Sequence, residues 1–161
     1  MLDIGAGLGA LTRPLLASGA RVIAIERDER VAARLVRRTA GAGRLTVVTG
    51  DALRVPLPRR PFRVVANIPF SITTPLLRRL LDSRMVAADL VVELAAGRRL
   101  ASAARAAARP ELARWHRQFT FRLGPVIPAY RFRPAPPVDA VVLRLRRLSG
   151  WRNRRSGPAR R

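Results

Sequence analysis

Short apolar runs and amphipathic stretches take turns over the first two-thirds of the chain, as strands of a covered parallel sheet and the helices that cover them do. Leu2–Gly5 predicts a strand and Ala10–Ala17 a helix. Arg21–Glu26 (RVIAIE) is a β-branched, buried strand, and Asp28 stands where it can cap a helix running to Thr39. Leu45–Thr49, Arg63–Ala66 and Asp89–Leu94 predict three more strands. Thr74, with Pro75 at the first helical position, starts a helix that reaches Leu81. Ala95–Ala108 reads as helix stopped by Pro110.

Beyond that point the pattern changes. Gln118–Leu123 and Val141–Arg146 alternate as strands, joined by a proline-rich loop, Gly124–Val138, with no helix between them. That predicts an antiparallel hairpin closing the sheet edge. The expectation is one α/β domain, residues 1–148, built on a mostly parallel sheet. Residues 149–161 form an Arg/Gly/Pro-rich tail expected to be disordered. No internal repeat is visible.

Composition narrows the chemistry. No apolar run approaches the roughly 20 residues of a membrane span. The opening Met1-Leu2-Asp3-Ile4-Gly5 reads as a strand entering a turn and not as a secretory leader. Cysteine is absent and His116 is the only histidine, so thiolate metal sites are excluded and a histidine triad or metal cluster has almost no material. The 32 basic residues are all Arg and face only 10 acids, for a net charge of +22. A coding bias accounts for Arg replacing Lys, but not for the excess of positive charge. That excess is uneven: residues 1–93 hold 15 Arg and 8 acids, residues 94–161 hold 17 Arg and 2 acids. A field this dense suits a polyanion, nucleic acid foremost, over a merely solvated basic face.

Four short segments carry candidate chemistry. In Asp3-Ile4-Gly5-Ala6-Gly7-Leu8-Gly9, glycines after a strand let a ligand approach the backbone, and the helix that follows aims its N-terminus there. Alone, this fits the pyrophosphate turn of a dinucleotide site as well as it fits a site for S-adenosylmethionine. Glu26 ends the next strand, about twenty residues on, where a carboxylate can accept both ribose hydroxyls of either ligand, or simply cap the following helix. Gly50-Asp51-Ala52 follows the third strand; its Asp can accept from an adenine amine, although a lone Gly-Asp turn is uninformative. Asn67-Ile68-Pro69-Phe70, after the fourth strand, decides between them. An adenine N6 amine is a poor nucleophile because its lone pair is delocalised into the ring. The Asn67 side-chain oxygen and the Ile68 carbonyl can accept both of its N–H bonds, tilting the nitrogen toward tetrahedral geometry for in-line attack on a sulfonium methyl. Pro69 stiffens the turn, and Phe70 offers a face to a flipped-out base. No side-chain general base is needed, which suits a chain with one histidine.

On DIGAGLGALT (Asp3–Thr12), Glu26, GDA (Gly50–Ala52), NIPFSITTPLL (Asn67–Leu77) and FRPAPPVDAVVL (Phe132–Leu143), the sequence closely resembles the rRNA adenine N6-methyltransferases. The resemblance is to their erythromycin-resistance (Erm) branch, beside its KsgA/Dim1 cousins, and covers roughly residues 1–147. It implies a Rossmann-like class I methyltransferase sheet with a final antiparallel strand, and S-adenosylmethionine as methyl donor. It implies Gly5, Gly7, Glu26 and Asp51 as donor contacts, with Asp3, Ala6, Gly9, Arg27, Ala52 and Asn67 around the same cleft. Asn67, Ile68, Pro69 and Phe70 are implied at the target amine. The implied substrate is the 23S rRNA adenine whose methylation blocks macrolide, lincosamide and streptogramin B binding. The implied setting is a cytoplasmic monomer acting on protein-free or early-assembly RNA, away from membranes.

Three departures from the family pattern stand out. The chain opens inside the first strand, without the preceding Gln-Asn-Phe-like segment of family members that contacts the methionine end of the donor. The helical C-terminal domain is replaced by the short Arg-rich tail. Glu93 stands where relatives usually carry Gln. Candidates for phosphate contact are Arg131 and Arg133 on the proline-rich loop, with Arg98, Arg99, Arg144 and Arg146. Trp115 and Trp151 are candidates for base stacking, a half-buried Trp115 being favoured over that role. The competing readings are an RNA-binding module without turnover, a DNA adenine methyltransferase, and an NAD enzyme, which has no use for Asn-Ile-Pro-Phe.

Overall fold

A computed structural model of the protein describes residues 1–149. Within these residues seven strands form a single sheet: β1 (Leu2–Ile4), β2 (Val22–Glu26), β3 (Leu45–Thr49), β4 (Phe62–Asn67), β5 (Met85–Glu93), β6 (Phe119–Ile127) and β7 (Ala140–Arg147). Their order is β3-β2-β1-β4-β5-β7-β6. The first five are parallel, and β7 enters antiparallel between β5 and β6. The α/β class, the parallel run and the closing antiparallel hairpin are as the sequence predicts.

Among the described residues six α-helices connect them: α1 (Thr12–Ala17), α2 (Glu29–Arg38), α3 (Thr73–Leu81), α4 (Leu94–Ala101), α5 (Ala103–Ala107) and α6 (Pro110–His116). Asp28 caps α2, its carboxylate accepting the N–H groups of Arg30 at 2.8 Å and Val31 at 3.0 Å. Leu76, Leu77, Leu80 and Leu81 of α3 form a fully buried stripe. At roughly 1.5–3 kcal/mol for each side chain, that stripe alone binds α3 firmly to the sheet. The helices α3 to α6 all cover the sheet face of Leu2, Ile4, Val64, Ala66, Leu90, Leu143 and Leu145. Gly97 lets α4 settle there: a Cβ at this position would lie 2.4 Å from Val141 Cγ1. The opposite face is covered over β2 and β3, where Ala6, Ala24 and Leu35 pack together against Leu45 and Val47.

Several boundaries differ from the sequence reading. The strand expected from Asp89 begins at Met85, and that expected from Arg63 begins at Phe62 and extends to Asn67. The helix expected over Ala95–Ala108 is broken at Ser102, whose hydroxyl instead caps α5 by accepting from Arg105 N–H. Pro110, read as a stop, sits in the first turn of a further helix, where its missing N–H costs nothing. The helix placed at Ala10 starts at Thr12, and the one expected to start at Pro75 after a Thr74 cap starts two residues earlier, at Thr73. β6 continues through Gly124 and Pro125, residues expected in the loop, by a shift of register between Leu123 and Val126. Trp115 is fully buried in the core, which removes it as a base-stacking surface. The expected tail, apart from Ser149, and Trp151 within it lie outside the described residues. Among the described residues no helix is long and apolar enough to cross a membrane.

Candidate active site

The carboxyl ends of β1, β2, β3, β4 and β5 all open on one edge of the sheet, so the four motifs, distant in sequence, converge there. The turn after β1 is held by the Gly5 and Ala6 N–H groups, both donating to the Ile25 carbonyl at 2.9 and 3.1 Å. Gly5 and Gly7 have φ of +72° and +54°, a conformation open to glycine at little cost. A Cβ on Gly5 would stand 3.5 Å from the Asn67 carbonyl oxygen, so the first and fourth motifs are neighbours across a floor bare of side chains.

Glu26 ties the first motif to the second. Its Oε2 accepts the Gly7 N–H at 2.8 Å and its Oε1 the Asp28 N–H at 3.0 Å. The carboxylate is half-buried, with lone pairs left over for a ligand. Arg27 beside it is exposed. The Gly50 N–H donates to the Glu26 carbonyl at 2.8 Å, which joins the third motif to the second. Asp51 forms an Asx turn, its Oδ1 accepting from Leu53 N–H at 2.8 Å. Ala52 is buried behind it.

Asp3 lies beneath this edge, completely buried, with Oδ2 accepting the Thr12 hydroxyl at 2.6 Å and Oδ1 without a hydrogen-bond partner. Burial raises its carboxyl above the usual carboxylate range; the Thr12 hydroxyl opposes the rise and the Glu26 charge adds to it. Gly9 is packed so tightly that a Cβ would meet Leu35 Cδ1 at 2.7 Å.

In the fourth motif, Asn67 ends β4 with its side chain exposed and no hydrogen bond to it from the described residues. Ile68 is buried and donates its N–H to the Val91 carbonyl at 3.1 Å. That anchors the peptide, and no backbone N–H of the described residues donates to the Ile68 carbonyl. Pro69 leads into a single 3-10 turn, Phe70–Ile72, closed by Ile72 N–H on the Pro69 carbonyl at 3.0 Å. Phe70 is half-exposed. The cleft thus has two unclaimed acceptor oxygens on a rigid strand end, a half-open aromatic ring, and a carboxylate and an Asx turn nearby.

Two contributors to this edge escaped sequence reasoning. Thr12 closes the first motif and the signal for it was in the motif itself. Arg79, on α3, donates from Nη1 to the Ala52 carbonyl at 2.6 Å and from Nη2 to the Val55 carbonyl, fixing the Asp51 loop; nothing local announced this.

The predicted phosphate contacts divide into two groups. Arg98 lines an open cavity of about 410 Å³ with Glu93, Leu94, Ala95, Val138 and Asp139, one step beyond Asn67 on the neighbouring strand. Arg99 follows it, exposed. Arg131 and Arg133 are exposed on the segment joining β6 to β7, at the same edge. Arg144 and Arg146 lie instead on the broad face of the sheet, both paired with Asp89.

Known proteins match this arrangement. The family described as ribosomal RNA adenine dimethylase matches residues 1–151. The mycinamicin-resistance protein MyrB of Micromonospora griseorubida is 40% identical over 150 residues, 92% of this chain and 47% of that protein. Ribosomal RNA small subunit methyltransferase A of Thermosynechococcus vestitus is 41% identical over 155 residues, covering 91% of this chain and 58% of its own length. The crystal structure of the 23S rRNA methyltransferase ErmE superposes with a TM-score of 0.80 at 28% identity, over 92% of this chain and 61% of that one. The chain therefore spans about half the length of the curated relatives it matches. A family match over nearly the whole chain, with the Gly-rich turn, Glu26, Asp51 and Asn67 gathered at one sheet edge, places this protein among the ribosomal RNA adenine N6-methyltransferases.

Proposed function

We propose that the protein transfers methyl groups from S-adenosylmethionine to the N6 amine of an adenine in 23S rRNA, and that this confers resistance to macrolides, lincosamides and streptogramin B. The observation that carries the reading is the unengaged Asn67 side chain at the end of β4, beside the Gly5 turn, where even an added Cβ would stand 3.5 Å from the Asn67 backbone carbonyl.

The residues at the edge fit the donor. The floor at Gly5 is free of side chains, the Glu26 carboxylate can accept two ribose hydroxyls while keeping its backbone donors, and Asp51 faces the edge where an adenine amine would be recognised. Asp3, Ala6, Gly9, Arg27 and Ala52 shape this pocket. When bound, the donor supplies an electrophilic methyl on a positively charged sulfur. The protein's part is to orient the amine. Asn67 Oδ1 and the Ile68 carbonyl would each accept one N6–H, pyramidalising the nitrogen and taking its lone pair out of conjugation with the ring. An amine held this way would present its lone pair to a methyl bound beside Gly5, and the proton it sheds would leave to solvent. Pro69 and the Ile68–Val91 hydrogen bond hold both acceptors still, so little reorganisation accompanies attack. Phe70 supports the flipped base.

A large-subunit target is favoured by the likeness to ErmE, and resistance by MyrB; small-subunit enzymes match as well, and define the second reading. Arg98, Arg99, Arg131 and Arg133, at the same edge, hold RNA phosphates around the target. The protein works as a cytoplasmic monomer on protein-free RNA. Incubating it with labelled donor and either 23S or 16S rRNA, then mapping the modified nucleotide, tests the proposal. Label on an N6 position in 23S rRNA supports it; label confined to 16S rRNA replaces the large-subunit target with the small-subunit one.

A further inference from the structure

Across β4, β5, β7 and β6, no helix of the described residues packs substantially on the sheet face opposite α3–α6. Registered pairing orders its side chains in rows. Nearest the active-site edge run Glu93, Ala140 and Ile127, then Asn67, Val91 and Val142; next come Val65, Asp89, Arg144 and Arg122; then Arg63, Ala87, Arg146 and Thr120. The face that carries these arginines is therefore the face on which Asn67 stands.

Its charge is unbalanced. Arg122 is directly opposite Arg144, a like-charge cross-strand pair that costs stability unless an anion bridges it. The Asp89 carboxylate is shared by two of the three guanidiniums. Arg146 donates to both of its oxygens at 3.2 and 3.0 Å, Arg144 Nε stands 3.6 Å away, and Arg122 has no ion pair among the described residues. Thr120, Arg122, Arg144 and Arg146 line an open cavity of about 350 Å³. Gly124 leaves room beside it, since a Cβ there would stand 3.5 Å from Arg144 Nε. A second copy of the chain is a poor occupant: a symmetric contact would set these arginines against their own images in a protein of net charge +22.

We propose that this face is a phosphodiester-binding track. On it Arg122, Arg144 and Arg146, with the Thr120 hydroxyl, hold the backbone of the substrate RNA strand as it runs away from the target adenine. The track rests on the rRNA reading above and extends it from the edge of the sheet to its open face. Guanidiniums in adjacent strands present paired N–H donors to phosphate oxygens, the geometry in which Arg binds phosphate best. The unmatched Arg122–Arg144 pair is then a cost of the free protein that RNA relieves.

The test measures equilibrium binding of the full chain to a single-stranded RNA oligonucleotide and to an rRNA fragment over a range of salt. Variants are Arg122→Gln, Arg122→Gln/Arg144→Gln, and a control of equal charge, Arg34→Gln/Arg38→Gln, on the outer side of α2. The single variant removes an exposed side chain with no hydrogen bond or ion pair among the described residues, and circular dichroism checks the folding of both variants. The track predicts a log–log salt slope shallower by about 0.7 for each arginine removed and roughly tenfold weaker binding for the pair, with a much smaller change in the control. Equal loss in the pair and the control overturns the track, as does wild-type self-association that Arg122→Gln/Arg144→Gln abolishes. Failure of the rRNA reading looks different: the pair still weakens RNA binding, but no adenine acquires label.

Discussion

Glu26→Gln separates binding from bracing. The carboxylate accepts two backbone N–H groups, from Gly7 at 2.8 Å and Asp28 at 3.0 Å. Glutamine keeps the shape but offers one oxygen and one NH2 group, so one of those donors loses its acceptor, at a cost of about 1 kcal/mol for a half-exposed group. Donor binding loses more. Two ribose hydroxyls on a carboxylate are charge-assisted bonds of roughly 1.5–3 kcal/mol each, and glutamine retains one neutral acceptor. A net loss of about 2–3 kcal/mol corresponds to a roughly 30- to 150-fold weaker Kd. Calorimetric titration with S-adenosylmethionine, alongside thermal unfolding without it, reads the two effects separately. A Kd within twofold of wild type together with a lowered Tm would show that Glu26 only braces the Gly7 turn, and would refute its assignment to the ribose.

Two further predictions concern stability. The folded chain holds the Asp3 proton more tightly than the unfolded one, so the contribution of Asp3 favours folding most at low pH and is lost as pH rises from about 4 through the raised folded value. Asp3→Asn, which can still accept from Thr12, therefore gains Tm over wild type at pH 7, by some 2–4 °C for roughly each kcal/mol recovered, and little at pH 4; an equal difference at both contradicts this. Gly97→Ala forces a Cβ to within 2.4 Å of Val141 Cγ1, an overpacking cost of about 1–3 kcal/mol only partly offset by roughly 1 kcal/mol of helix propensity. Urea unfolding should show a net loss, and the double variant with Val141→Ala a smaller loss than the two singles added.

Local signals were legible in the sequence wherever they acted locally. Asp28 announced the α2 cap, the RVIAIE run announced β2, and the absence of a helical stretch between the last two strands announced the antiparallel closure. Met85 to Ala88 were missed as strand because two of the four are alanines, whose β propensity is low; tertiary pairing with β4 and β7 overrides it. Pro110 was misread because proline stops one helix and starts another with equal ease. The four motifs of the site were readable because each follows a strand. Their linkage through Glu26 was not, because the Gly7 and Gly50 bonds depend on the order of strands in the sheet. The same holds for Asp89 with Arg144 and Arg146, set opposite one another by a pairing of strands far apart in the chain.

Asn67 is the acceptor proposed for the target amine, and its replacement is the most direct trial of that role. Methyl transfer to rRNA by Asn67→Ala should fall at least about a hundredfold, as when a positioned transition-state partner is removed, while RNA affinity stays near that of wild type. Transfer by the variant at the wild-type rate, to the same adenine, would contradict the account.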